Sequence, residues 1–201
     1  ELARRLGDQD AFWFVAYNIV GNMNPHSTKE RWHLAEELSA RPRAGVSVRT
    51  LGIALVFIAD TLLESGQRAP ASAIGKELKE LAERTQQAHV ILLAMVWEVW
   101  EAVMEGRLEE AGAITKQITI RGNELGLPMY ATLSANQAGS ASPTLLGNRD
   151  EMQAILDRGS LPPSIRVQII AHLGRDTEAK EILEQLVVAR PGFGTADDRQ
   201  S

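Results

Sequence analysis

Gly106-Arg-Leu-Glu-Glu-Ala111 lies between a long apolar segment and a second, amphipathic one. The same spacing, a glycine followed five residues later by alanine, occurs in Gly66-Gln-Arg-Ala-Pro-Ala71 and in Gly174-Arg-Asp-Thr-Glu-Ala179. Gly147-Asn-Arg-Asp-Glu-Met152 is a fourth such stretch, with methionine at the alanine position. The glycines of these four stretches lie at positions 66, 106, 147 and 174, so successive glycines are 40, 41 and 27 residues apart. A period near forty is typical of stacked helical hairpins, because one hairpin cannot bury its own apolar face.

The composition favours a helical protein that does not bind nucleic acid. The 201 residues are 44% hydrophobic but only 5% aromatic, and the abundant leucine, alanine, glutamate and arginine prefer helices. A net charge of −5 argues against duplex nucleic acid as a ligand, because phosphate binding needs a concentrated basic face. The chain contains no cysteine, which excludes disulfides and favours a cytoplasmic location. The longest apolar segment, 90–104, contains two glutamates and is too short to cross a membrane.

The hydrophobic pattern predicts one all-α repeat domain over residues 1–189 and a disordered tail over 190–201. Arg190-Pro-Gly-Phe-Gly194 ends the last helix, since proline and glycine interrupt helices. Because the sequence begins at Glu1 rather than at methionine, we expect it to be a piece of a longer protein. The predicted hairpins are these: 10–21 with 28–40, 46–65 with 70–87, 88–105 with 108–125, 128–137 with 149–158, and 163–173 with 177–189.

The two helices of a hairpin are predicted to differ in kind. The second is amphipathic, with apolar residues recurring at helical spacing along 108–125. The helix before Gly106 is apolar on almost every side, and its polar residues Glu98, Glu101 and Glu105 fall on one narrow face. We expect neighbouring hairpins to cover such a helix, so that one edge alone reaches an inner groove.

Met104-Glu-Gly106-Arg-Leu-Glu-Glu-Ala111 and Leu173-Gly174-Arg-Asp-Thr-Glu-Ala179 resemble the turn region of tetratricopeptide-type (TPR-like) repeats. Glu124-Leu-Gly-Leu-Pro128 and Leu6-Gly-Asp8 are similar to that group as well. The period near forty, rather than about 34, is closer to the divergent arrays of MalT-like bacterial transcriptional regulators and multidomain nucleotide cyclases. The resemblance implies a right-handed α-solenoid of about five hairpins and a role in signal transduction.

No sequence motif for catalysis, for a cofactor or for a metal is found. The phosphate-loop pattern G-x-x-x-x-G-K-[ST] does not occur, and the four histidines lack metal-ligand spacing. Gly192-Phe-Gly194 begins like a dinucleotide fingerprint, but Asp197 stands where its last glycine belongs. We therefore expect a protein that is not an enzyme and has no cofactor.

The carboxylates of Glu98 and Glu101 have three interpretations. The favoured one is the solvated edge of a buried helix. The second is an acidic strip that receives a basic or amide-rich peptide, because repeat arrays bind with the inner edges of their first helices. The third is a general acid/base pair, since close carboxylates shift one another's pKa. Further residues predicted for the groove are Tyr17, Asn18, Asp60, Tyr130 and Asn136.

The tryptophans Trp97 and Trp100 flank Glu98. They are interpreted first as core anchors, and otherwise as the aromatic wall of a ligand groove or as an interface with neighbouring repeats of a longer chain. The residues Phe12, Trp13 and Phe14 crowd the first helix, and incomplete cover of this cluster predicts self-association of the chain.

These patterns lead to a functional expectation. The sequence predicts a protein–protein interaction or signal-sensing domain of a larger bacterial regulatory protein. Its expected partner is a protein or peptide, neighbouring domains of the parent chain included, with no direct nucleic acid and no membrane. The alternative is a small-molecule sensor that binds its ligand in the concave groove.

Overall fold

The computed structural model describes residues 7–21, 28–139, 141–157, 159 and 161–189, and no β-strand occurs among them. The prediction of an all-α protein is confirmed for these residues. The helices are α1 (Gln9–Val20), α2 (Thr28–Ala40), α3 (Val48–Glu64), α4 (Arg68–Thr85), α5 (Ala88–Met104), α6 (Leu108–Glu124), α7 (Pro128–Gly139), α8 (Ala141–Leu145), α9 (Arg149–Asp157), α10 (Pro163–His172) and α11 (Asp176–Ala189). Most of the predicted helix limits agree with these within about two residues.

The middle of the chain repeats one helix at a time. Helices α3 to α7 begin at intervals of twenty residues, at Val48, Arg68, Ala88, Leu108 and Pro128. The period of forty seen in the sequence is therefore two helices with their turns. Helices α3 to α6 are 17 or 18 residues long, and the turns that join α3 to α7 have two or three residues. Helices of similar length joined by short turns are compatible with a helical repeat.

One left-handed turn recurs along the chain. At Gly106, where φ is 75°, the Gly106 amide donates to the Val103 carbonyl (3.1 Å) and the Arg107 amide donates to the Ala102 carbonyl (2.8 Å). This pair of bonds is the Schellman motif, which satisfies the last carbonyls of a helix and favours glycine at the left-handed position. The same two bonds and a positive φ close the turns at Gly66, Gly126, Gly147 and Gly174.

The turns at residues 86 and 126 complete this series. Gln86, with φ at 51°, lies twenty residues from both Gly66 and Gly106 and holds the left-handed position without being glycine. Gly126 precedes Ala131 by five residues, so the Gly-to-Ala spacing also occurs between α6 and α7. The sequence pattern indicated the turn around Gly126 but not that this turn and the one at Gln86 belong to the series, because a period of forty conceals every second member of a series of twenty.

The alanine of each turn lies where two helices meet. Ala71, Ala111 and Ala131 are fully buried, and Ala179 and Met152 are nearly so. A methyl side chain lets the helix that follows the turn approach its neighbour closely, which is the packing expected from the sequence.

The chain divides into two compact units, with the boundary between Ala94 and Met95 inside α5. In unit 1, α3 is the central helix and packs against α1, α2 and α4. Its side chains Leu55 and Ile58 are fully buried, as are Trp13 of α1, Leu38 of α2 and Leu78 of α4.

Arginine side chains hold the connection between α2 and α3 against the helices of unit 1. The Arg43 guanidinium donates to both carboxylate oxygens of Glu77 on α4 (2.8 and 2.9 Å) and to the Leu38 carbonyl (2.8 Å). It also lies over the ring of Trp13 at 5.1 Å, and Arg41 lies over the ring of Phe12 at 4.0 Å. Because arginine donates from a planar fork and stacks on aromatic faces, these residues join the link to α1, α2 and α4.

Unit 2 differs from the prediction in its fourth hairpin. The short helix α8 lies between α7 and α9 and packs against both of them and against α6. The hydroxyl of Ser142 donates to the Leu108 carbonyl (2.6 Å), which ties α8 to the first residue of α6. The predicted pair 128–137 with 149–158 is therefore a group of three helices. Further along, α10 packs against α9 and α11.

Other sequence predictions are left open. The handedness of the array and the count of five hairpins stay predictions, as does the single domain over 1–189. The Leu6 end of Leu6-Gly-Asp8 and the tail 190–201 lie outside the described residues.

Candidate functional site

A cavity of about 370 Å³ that is open to solvent lies in unit 2 and is lined by α6, α7, α8 and α9. This volume is near the lower end of the range of about 300–1,000 Å³ that is usual for small-molecule sites. Its lining combines small, hydroxylated and aliphatic side chains with one amide and one pair of opposite charges. The lining residues are Gly112, Thr115, Lys116, Thr119, Ile120, Thr132, Ala135, Asn136, Gly139, Pro143, Glu151 and Ile155.

Two of the lining residues, Thr115 and Gly139, lie where α6 and α7 approach each other closely. A β-carbon added to Gly139 would lie 2.4 Å from Cγ2 of Thr115, which is closer than two carbon atoms can approach. Glycine at position 139 therefore lets α7 pack directly on the side chain of Thr115. Gly112 has open room by comparison, since its nearest neighbour would be the Ser142 hydroxyl at 3.4 Å.

Two threonine hydroxyls in the lining are already committed as donors. Thr115 donates to the Ala111 carbonyl and Thr132 donates to the Pro128 carbonyl, both at 2.9 Å. A hydroxyl has one proton to donate and two lone pairs that accept. Because the proton of each threonine is already bonded to a carbonyl, its oxygen can act towards a ligand as an acceptor but not as a donor. The committed threonines are therefore acceptors for an N–H donor.

An ion pair between α6 and α9 provides the charges of the lining. Nζ of Lys116 lies 3.4 Å from Oε1 of Glu151, and the Lys116 side chain is 70% exposed whereas that of Glu151 is 28% exposed. A pair this exposed is weak, because water screens it and ordering both side chains costs entropy. A ligand can therefore replace either partner of this ion pair at a low cost in free energy.

A second polar cluster lies in unit 1, around Asp60 of α3. The buried guanidinium of Arg31 donates to the Val20 carbonyl (2.8 Å) and to a carboxylate oxygen of Glu64 (3.0 Å). Burial raises the pKa of Asp60 to about 6, the Glu64 carboxylate acts in the same direction, and Arg31 opposes both. Asp60 thus lies half-buried beside a network that leaves its carboxylate poorly stabilised.

The predicted groove residues Tyr17 and Asn18 lie on α1 in unit 1. The Tyr17 ring stacks on Phe57 with centroids 6.2 Å apart, and the Asn18 amide donates to the Phe14 carbonyl (2.6 Å). Both contacts are made inside the unit. Tyr17, Asn18 and Asp60 belong to unit 1, whereas the other five predicted groove residues belong to unit 2.

The aromatic and acidic residues predicted on α5 are mostly covered. Trp97 is fully buried, and its ring meets that of Trp100 edge-on with centroids 6.5 Å apart. The Trp97 indole N–H has no hydrogen-bond partner among the described residues. Glu98 and Glu101 are half-buried, and both take part in interactions of their own. Burial of Trp97 fits the interpretation as a core anchor, and its place in a ligand groove stays a prediction.

Asn136 is the predicted residue that the structure places in the cavity lining. It is buried and also makes an interaction of its own, while Tyr130 of the same helix is half-buried. The sequence prediction missed Lys116, Glu151 and the threonines. No local sequence pattern marks them, because Glu151 lies on α9 and meets Lys116 of α6 only in the folded chain.

A more open depression of about 490 Å³ lies between α10 and α11. Its lining is mainly aliphatic, with Arg166 and Gln185 as its polar side chains. Because it lacks converging polar groups on facing helices, the cavity of α6 to α9 is the stronger candidate site.

The described residues form neither a metal-binding cluster nor a helix that could cross a membrane. They contain no group of three or more histidine, cysteine, aspartate or glutamate side chains placed to hold a metal ion. None of the described helices is both long enough and apolar enough to cross a membrane.

No protein-family model matches the chain, and neither curated proteins nor solved structures include one that is significantly similar to it.

Proposed function

We propose that this chain is a non-catalytic helical-repeat domain for protein–protein interaction or signal sensing within a larger bacterial regulatory protein. The observation that supports the proposal is the series of helices α3 to α7, which begin twenty residues apart and of which α3, α5 and α6 end in the same left-handed turn. Such arrays display the edges of successive helices as one binding surface. The TPR-like and MalT-like resemblance of the turns supports the same role.

Partner capture with charge-reversal variants tests the interaction. The double variant Glu98→Lys, Glu101→Lys is expected to lose the partners captured by the wild-type chain while its melting temperature is kept. The matched control is Glu109→Lys, Glu181→Lys, which makes the same change of net charge at two exposed positions. Equal capture by both double variants would remove the acidic strip from the proposal.

The second candidate function is small-molecule sensing, and the cavity of α6 to α9 favours it. A volume of about 370 Å³ is too small for a helix and suits a small ligand or one side chain. A ligand that binds the folded state raises the melting temperature in proportion to the logarithm of its concentration. A melting screen against metabolites and short peptides tests this function.

A cavity-filling variant tests whether the ligands found in that screen bind in the cavity of α6 to α9. Thr119 is exposed and lines the cavity, whereas Gln117 is exposed on the same helix but lies outside the lining. Thr119→Trp is expected to abolish the ligand-induced rise, and Gln117→Trp is expected to preserve it. A rise that survives Thr119→Trp would place the ligand elsewhere.

A further inference from the structure

We infer that the cavity of α6 to α9 binds an aliphatic zwitterion, a free amino acid with a branched or linear hydrocarbon side chain, with Glu151 holding its ammonium group and Lys116 its carboxylate. The inference rests on the sensing function proposed above and names its ligand class. Three features of the lining support the inference: two adjacent opposite charges, hydroxyl oxygens that can accept hydrogen bonds, and aliphatic side chains.

The ion pair supplies both charges that a zwitterion needs. Lys116 Nζ and Glu151 Oε1 are 3.4 Å apart on two different helices. An α-amino acid carries its ammonium and carboxylate groups on one carbon, so it can contact both partners at once. Each new contact is a charge-assisted hydrogen bond, the stronger class of such bonds.

The threonine hydroxyls line the same cavity as Glu151 and are assigned to the ammonium group of the ligand as well. Thr115 and Thr132 have committed their protons to helix carbonyls, so their oxygens accept from a ligand. An ammonium group has three protons, which Glu151 and these oxygens can share. The carboxylate of the ligand then faces Lys116, the cation of the lining.

The apolar part of the lining selects an aliphatic side chain. Ile120, Pro143 and Ile155 supply hydrocarbon, and Ala135 and Gly139 leave room beside it. Among the described residues, the lining contains no aromatic ring on which a nucleobase could stack. The same residues include no arginine, and the Glu151 carboxylate beside Lys116 would repel the negative charges of a phosphate.

Calorimetric titration of the 201-residue chain with L-leucine tests the inference. L-Leucine is expected to bind, while isopentylamine, which lacks the carboxylate, and 4-methylpentanoate, which lacks the ammonium group, bind at least about tenfold more weakly. Thr119→Trp is expected to abolish the binding of L-leucine, and Gln117→Trp is expected to leave it unchanged.

The charge assignments are tested by crossing variants with these analogues. Lys116→Gln is expected to weaken L-leucine at least about tenfold and to leave isopentylamine unchanged, because that amine has no carboxylate to lose. Glu151→Gln is expected to do the same for L-leucine and to leave 4-methylpentanoate unchanged. The matched control is Lys180→Gln with Glu184→Gln, an exposed lysine–glutamate pair on α11 outside the lining.

Three results would overturn the inference: no binding of L-leucine, L-methionine or L-isoleucine, equal binding of the analogues, or leucine binding that survives Thr119→Trp. If the metabolite screen still finds another ligand that Thr119→Trp excludes, the sensing function stands and the ligand class is wrong. If no ligand in either experiment depends on Thr119, both the class and the sensing function fail.

Discussion

Gly122 of α6 faces Ala131 of α7 so closely that a β-carbon on Gly122 would lie 2.0 Å from the β-carbon of Ala131. The next nearest atoms, at 3.3 Å, belong to the backbone, so no flexible side chain can make room. We expect Gly122→Ala to lower the free energy of unfolding by about 1–3 kcal/mol, the usual cost of overpacking. Thermal or urea unfolding measures the change.

Gly112 provides the control on the same helix. A β-carbon there would meet the Ser142 hydroxyl at 3.4 Å, an ordinary contact. Gly112→Ala is expected to be neutral or to stabilise by up to about 1 kcal/mol, because alanine is the better helix former. If both variants lower the free energy of unfolding equally, the close approach of α6 and α7 is not the cause of the effect at position 122.

The left-handed turns predict a second pair of results. Gly106 has φ at 75° and no atom within 4 Å of the place of a β-carbon, so a side chain there changes backbone strain and little else. Gly106→Ala is expected to cost about 1–2 kcal/mol, and Gly106→Asn less, since asparagine tolerates this conformation. Chemical unfolding of the two variants measures the difference, and equal costs would contradict the proposed origin of the strain.

The protonation of Asp60 predicts a pH-dependent stability. Its pKa is raised from 3.8 to about 6 by burial and by Glu64, with Arg31 opposing. The folded chain thus holds this proton more tightly than the unfolded chain, so the stabilisation is complete below about pH 4 and is lost as the pH rises through about 6. Asp60→Asn keeps a neutral side chain. The free energy of unfolding of Asp60→Asn, measured relative to that of the wild type, should therefore rise by on the order of 2 kcal/mol between pH 4 and pH 7.

Asp10 supplies a control of opposite sign. The backbone N–H of Ser47 donates to the Asp10 carboxylate (2.8 Å), and this bond lowers the pKa of Asp10 below 3.8. The folded state gains from the charged form, so this contribution is present above the ordinary pKa and is lost on acidification. Asp10→Asn is expected to be destabilising at pH 7 and less so at acidic pH. A pH-independent difference between wild type and Asp60→Asn would contradict the account of Asp60.

The apolar face of α1 predicts self-association. Phe12 and Trp13, expected to be partly uncovered, are buried, while Phe14, Val15 and Ile19 are 53, 48 and 42% exposed. We expect sedimentation to show association that increases with concentration, and Val15→Glu with Ile19→Glu to abolish it. Leu145→Glu with Leu183→Glu, at exposed leucines of unit 2, is the control. A wild-type monomer at every concentration would contradict the prediction.

The sequence predicted helices better than it predicted the site. Helix limits follow from local signals, such as glycine at the left-handed turn position and hydrophobic spacing, which need no knowledge of the rest of the fold. Pro128 at the start of α7 and Gly174 after α10 are examples.

The cavity depends on contacts that the sequence does not display. Lys116 and Glu151 are 35 residues apart and meet because α8, a short helix that was not predicted, connects α7 to α9. Glu98 and Glu101 have a conspicuous spacing, but spacing does not reveal how far a neighbouring element covers them. Asn136 was predicted from its place on a first helix and does line the cavity.

Methyl NMR of the isoleucines tests most directly whether the cavity of α6 to α9 is a binding site. Ile120 and Ile155 line it, whereas Ile58 and Ile74 are buried in unit 1. On titration with a mixture of free amino acids and short peptides, the δ1-methyl resonances of Ile120 and Ile155 should shift to saturation while those of Ile58 and Ile74 stay in place. Resonances at Ile120 and Ile155 that do not move, or shifts confined to unit 1, would contradict the account.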